Sequence, residues 1–118
     1  MDNIKKYNCK RNYRIWMYSV SHATLILRSE KQYPDVDYKI KYDNPNVTID
    51  ITFNAVDFIS LPEKIVGLEI IKKGDKYMIN NNEDWYVKAA NCFIGKYNGE
   101  DEDKVWSGDL KYDELSRI

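Results

Sequence analysis

The chain is poor in the residues from which catalytic and metal centres are usually assembled. Among 118 residues there is one histidine, His22, and there are two cysteines, Cys9 and Cys92, with no CxxC pair. A structural zinc site takes four such ligands at close spacing, so this inventory supplies neither a zinc centre nor a redox dithiol. The two thiols read as reduced structural residues of a cytoplasmic protein, and no cofactor or metal is expected. The five glycines are scattered at 67, 74, 95, 99 and 108, which excludes a glycine-rich phosphate loop. The longest stretch without a charge, residues 15–27, contains serine, threonine and His22 and falls short of the ~20 apolar residues of a membrane-spanning helix. Residues 1–11 are charged and polar, without the apolar core of a secretory signal. A net charge of −1 removes the electrostatic basis of a general nucleic-acid binder. Neither a membrane nor a nucleic acid is therefore expected as a partner.

What the chain has in quantity is aromatic surface: ten Tyr, three Trp and three Phe, 14% of the residues. Lys, Ile, Asn and Tyr, the residues of AT-rich codons, make up 48 of the 118, the composition of a low-GC bacterial gene. Alternation of apolar and polar residues is clearest over 36–53. Val36, Tyr38, Ile40 and Tyr42 alternate with Asp37, Lys39 and Lys41, and Val47, Ile49, Ile51 and Phe53 alternate with Thr48, Asp50 and Thr52. A hairpin turning at 43–46 places both apolar sets on one face. The phase changes after Phe53, which predicts a bulge or bend at Asn54 and Ala55. Residues 68–71 and 77–79 flank Gly74 and predict a second hairpin. Residues 13–20 and 23–27 read as two strands or one bent strand, and 85–87 and 92–94 as further strands. The expected fold is mainly β: an antiparallel sandwich or open barrel built from hairpins, in one globular domain over 1–118. A short helix over 84–97 or at the C-terminus is the alternative for those segments.

Nucleophilic catalysis would have to use His22, and Ser19 and Ser21 beside it in sequence do not define a triad, which is recognised by geometry. The acidic run Glu100, Asp101, Glu102 and Asp103 lacks the length and glycine of an EF-hand loop and reads as solvated. Strand alternation places His22, Thr24 and Arg28 on one face, and Thr48, Asp50 and Thr52 on one face of the 47–53 strand. If these strands share a sheet, they form a polar surface patch in which Arg28 and Asp50 make a bidentate pair. Trp85, Tyr86 and Trp106, each beside a polar or acidic segment, are the aromatics expected at a binding surface. Charge is divided between the ends, with +4 over residues 1–14 and −4 over 98–118.

The segments Ser21-His22-Ala23-Thr24-Leu25-Ile26-Leu27-Arg28-Ser29 and Asp50-Ile51-Thr52-Phe53, followed by Leu61-Pro62 and Gly67-Leu68-Glu69-Ile70, resemble those of small bacterial single-domain proteins. That group carries an SH-x-x-L-x-LRS segment and a later D-[IV]-x-F…LP…GL-x-I segment. The resemblance covers residues 13–71. It implies no activity, because the group is uncharacterised, and it nominates His22, Arg28 and Asp50 as matching positions. The function expected from the residues is a non-enzymatic intracellular module that binds another protein, of a neutralising or tethering kind. A small-ligand or carbohydrate-binding β domain is the alternative, and an enzyme using His22 the third.

Overall fold

The computed structural model describes residues 6–99 and 112–118. Nine strands follow one another along the chain: β1 Lys6–Ser19, β2 Thr24–Ser29, β3 Thr48–Asn54, β4 Phe58–Ser60, β5 Lys64–Lys73, β6 Lys76–Ile79, β7 Tyr86–Lys88, β8 Asn91–Tyr97 and β9 Glu114–Arg117. They form one sheet in the order β4-β7-β6-β5-β1-β2-β3-β8-β9, antiparallel throughout and open between β4 and β9. The described residues contain no helix. The helix alternatives are thereby settled: 84–97 contributes β7 and β8, and the C-terminal residues add β9 to the edge of β8.

The long strand β1 serves both halves of the sheet. Its N-terminal part, to Arg14, pairs with β5, and its C-terminal part, from Arg14, pairs with β2. Each pairing is interrupted by a register shift, between Cys9 and Asn12 against β5 and between Ile15 and Met17 against β2. Such bulges bend a strand and increase its right-handed twist, so β1 turns the sheet over on itself. Phe53 of β3 and Tyr77 of β6, which belong to opposite halves, consequently meet edge to face with centroids 5.5 Å apart. The alternation of β2, β3, β5 and β8 sends Leu25, Leu27, Ile51, Phe53, Leu68, Ile70 and Cys92 into one shared core. Ile118 closes its end, its N–H donating to the Cys92 carbonyl at 3.0 Å, an ordinary length for such a bond.

The β5–β6 hairpin forms as its residues dictate, with Lys73 opposite Lys76 and Gly74 at φ +64° in the turn. The phase change after Phe53 is absorbed by Ala55 at φ +52°, after which β4 begins. The hairpin expected over 36–53 does not form. Its second arm becomes β3, but residues 36–42 are irregular and β3 pairs with β2 and β8 instead. The reason is burial on both faces. In the expected register Lys39 would face Asp50, and a lysine presents a point charge where Arg28 presents a planar fork. Residues 40–42 satisfy their backbone on a side chain: the buried Gln32 amide donates to the Ile40 carbonyl at 2.7 Å and accepts from the Tyr42 N–H at 2.9 Å. One glutamine thus stands in for a partner strand. Because Phe53 joins the two halves, Phe53→Ala is expected to lower the free energy of unfolding by about 3–5 kcal/mol in urea titration. A loss below about 1 kcal/mol would show that the halves do not share a core there.

Candidate functional site

On the outer side of the sheet, opposite the core, β2 and β3 bring Arg28 and Asp50 into register. Arg28 Nε donates to Asp50 Oδ1 at 2.7 Å and Nη2 donates to Oδ2 at 2.9 Å, the bidentate geometry inferred from alternation. The pair is not on the surface, however: Arg28 is 1% and Asp50 0% exposed. Two aromatic residues cover it. The bulge in β1 sets Trp16 over the guanidinium, 4.6 Å from its ring centroid, where cation–π attraction adds to the ion pair. Tyr112, just before β9, donates its hydroxyl to Asp50 Oδ2 at 2.8 Å. Its ring lies on Gly95, where a β-carbon would stand 2.5 Å from ring atoms. Burial raises the Tyr112 phenol above the usual tyrosine range, and the Asp50 carboxylate raises it further.

Beside this pair lies a cleft of about 400 Å³. One wall is sheet, with Asn12 and Arg14 of β1 and Lys64 and Val66 of β5. The other is the 30–42 segment, which presents Tyr33, Tyr38 and Tyr42. Arg28 reaches the cleft from beneath. Arg14 Nη2 bridges the two walls by contacting Glu30 Oε2 at 2.6 Å, an exposed pair of small energetic weight. The segment is held firmly at its base: Gln32 grips 40–42, the Asn12 N–H donates to Tyr42 Oη at 3.3 Å, and the Tyr33 N–H donates to Tyr38 Oη at 3.0 Å. The Arg11 guanidinium lies 4.3 Å from the Tyr42 ring centroid. The cleft therefore combines three tyrosine rings with cations from Arg14 and Lys64 and a carboxylate from Glu30.

The residues singled out in the sequence fall in separate places. Arg28 and Asp50 come together, and Arg28 borders the cleft. His22 sits in the exposed turn between β1 and β2, with Ser19 Oγ and Ser21 Oγ 3.1 and 3.0 Å from its Nδ1, and takes no part in the Arg28–Asp50 pair. Thr24 Oγ1 donates to the His22 carbonyl at 3.1 Å. Trp85 is half-buried against the core, and Tyr86 of β7 stacks on Phe58 at 5.3 Å with Lys76 Nζ 4.2 Å from its ring centroid. Trp106 and the acidic run 100–103 lie outside the described residues. Tyr33, Tyr38, Tyr42, Trp16 and Tyr112 were not singled out as site residues by alternation, which assigned Tyr38 and Tyr42 to a core strand. The available signal was proline: Pro34 and Pro45 bracket the segment, and proline argues against a central strand.

Among the described residues, no group of three or more His, Cys, Asp and Glu side chains is placed to hold a metal ion, and no helix is long and apolar enough to cross a membrane. Comparison with protein-family models, curated proteins and solved structures returns no match.

Breaking the buried pair from one side leaves a charge without its partner, so Asp50→Ala is expected to cost about 3–5 kcal/mol in chemical denaturation. The double variant Arg28→Met/Asp50→Leu, which removes both charges, should recover most of that loss. If it is no more stable than Asp50→Ala, the pair is not the source of the effect. A second expectation concerns alkaline pH. Burial raises Tyr13, Tyr77, Tyr112 and Cys92, and brings Tyr7 to about 12. The unfolded chain releases these protons near its ordinary values of 9.0 for Cys and 10.0 for Tyr, whereas the folded chain retains them to higher pH. Their contribution is therefore complete below about pH 9 and is lost as pH rises above it. Melting temperatures across pH 7–11 should stay level and then fall, and Tyr112→Phe should make the fall shallower.

Proposed function

We propose that the protein is a non-catalytic interaction module that binds another protein through the tyrosine-lined cleft and the 33–42 ridge beside it, acting in the bacterial cytoplasm to neutralise or tether that partner. The observation that carries the proposal is where exposed apolar side chains gather. Tyr33, Val36 and Ile40 on the ridge are about half exposed, and Val66 across the cleft is 76% exposed. A second depression, of about 260 Å³, lies along the ridge between Tyr33, Val36 and Pro45. Aromatic and apolar side chains surrounded by charged ones are the composition of an interface core with its polar rim. The unpaired cysteines, Cys9 half-buried and Cys92 buried, suit a reducing compartment.

The second reading is a small-ligand site, favoured by the cleft volume of about 400 Å³, which lies in the range of small-molecule pockets. A ligand of that size would fill the cleft and leave Val36 and Ile40 uncovered, whereas a protein surface would cover both. The variant Tyr33→Ala/Val66→Asp changes two exposed side chains and should leave the melting temperature within about 2 °C of the parent. Cross-linking in the host, followed by reconstitution with the purified partner, should show binding by the parent and at least tenfold weaker binding by the variant. Unchanged affinity in the variant would remove the cleft from the interface. A thermal shift equivalent to about 2.7 kcal/mol from a sugar or metabolite at ~100 times its Kd would favour the second reading.

A further inference from the structure

On the far side of Tyr42 from the cleft runs a groove of about 470 Å³ between the N-terminal part of β1 and the 40–47 segment, with Ile49, Lys96 and Glu114 at its end. Among the described residues, no strand pairs with the β1 edge that faces it. Glu69 of β5, opposite Asn8, commits both backbone groups to Asn80: its N–H donates to Asn80 Oδ1 at 2.7 Å, and its carbonyl accepts from the Asn80 N–H at 2.9 Å. In an antiparallel ladder a residue directed away from its neighbour lies in a non-hydrogen-bonded pair, so the opposite residue is directed outward as well. The Asn8 N–H and carbonyl therefore point away from β5, and no described group accepts from or donates to them. Four residues further along, the Asn12 N–H points the same way and donates to Tyr42 Oη.

The groove also holds a buried cation to which no described carboxylate is bonded. Arg11, a bulge residue of β1, is 7% exposed. Its Nη2 donates to the carbonyls of Glu30 and Val47 at 3.0 and 2.8 Å, while Nε and Nη1 have no acceptor. A buried guanidinium without an anion is costly; Nε and Nη1 are closed to solvent here, and a carboxylate in the groove toward which the guanidinium turns would offset that cost. The remaining charges lining the groove are Lys10, Lys41 and Lys96 against Asp43 and Glu114, an excess of positive charge.

We propose that this groove accepts an extended acidic peptide, which adds as a strand to the Lys6–Lys10 edge of β1 and places a carboxylate on Arg11. Main-chain bonds to Asn8 supply registration and the carboxylate supplies selectivity, the division of labour of strand addition. A second copy of this chain fits the edge poorly, because antiparallel pairing about Asn8 sets Lys6 of each copy opposite Lys10 of the other, and like charges opposed across strands repel. The proposal rests on the interaction reading in taking a polypeptide as partner, but it uses a different groove.

The test uses a fluorescein-labelled octapeptide of alternating valine and glutamate, its lysine counterpart, and polarisation at 50 mM and 300 mM salt. The acidic peptide should bind, more weakly at high salt, and the basic one should not. Asn8→Pro removes an N–H that β5 does not use, so the protein should stay folded by circular dichroism and lose at least tenfold in affinity. Arg11→Gln should lose at least as much, and the exposed Lys10→Glu gives the same direction should Arg11→Gln fail to fold. Equal binding of both peptides, absence of binding at millimolar concentration, or acidic binding untouched by Asn8→Pro would overturn the proposal. So would a dimer in sedimentation that Asn8→Pro dissolves, which would assign the edge to a second copy. Tyr33→Ala/Val66→Asp should leave octapeptide binding unchanged. Loss of partner binding in that variant without octapeptide binding in the parent defeats the groove alone, and the converse defeats the cleft alone.

Discussion

A guanidinium and a carboxylate withdrawn from water on the outer side of β2 and β3 impose more on this structure than any single apolar contact. Such a pair is tolerated only with complete hydrogen bonding and a cover against solvent. Arg28 and Asp50 address the first condition with two parallel bonds, to which Tyr112 adds a third on the carboxylate. Trp16 and Tyr112 meet the second, one delivered by a bulge in β1 and the other by the segment entering β9. The bulge, the glycine at 95 and the docking of the C-terminal strand thus belong to one arrangement. β2 and β3 are in consequence central strands buried on both faces, which is unusual for an antiparallel sheet and leaves no room beside β3 for the lysine-rich 36–42 segment.

That displacement generates the surface proposed to be functional. Excluded from the sheet, 33–42 folds as an irregular ridge, and its apolar residues, which a strand would have buried, remain in contact with water. The ridge is nonetheless ordered, because Gln32 and the tyrosine hydroxyls take up backbone groups that would otherwise be unpartnered. The result is an apolar, aromatic feature mounted on a rigid sheet, where binding need not be preceded by ordering of the chain.

Local rules read much of this from the residues. Alternation placed Arg28 and Asp50 on coherent faces, and their opposition followed once β2 and β3 were neighbours. Gly74 marked its hairpin. The 36–42 segment was misread because its period of two is identical to that of a strand, and nothing within seven residues reveals that Arg28, fourteen positions upstream of Tyr42, is the better partner for Asp50. Pairing is decided by competition among distant segments, which a local pattern does not contain. The site tyrosines were hidden for the same reason: once 36–42 is called a strand, Tyr38 and Tyr42 become core. The aromatic content therefore divides by position, with Tyr13 and Tyr77 filling the interior and Tyr33, Tyr38 and Tyr42 lining the cleft.

The fastening of Tyr112 on Gly95 bears on how much of the sheet's margin is left open. An open sheet has two terminal strands, and long apolar ones invite pairing between molecules. Here both are short: β4 has three residues, and β9 has four, all exposed and ending in a charge at each side. Behind β9 lies β8, seven residues that include Cys92, Phe93 and Ile94, a far stickier margin. One ring resting on one bare stretch of backbone helps to hold β9 over that margin, so position 95 bears on the protection of an edge as much as on shape.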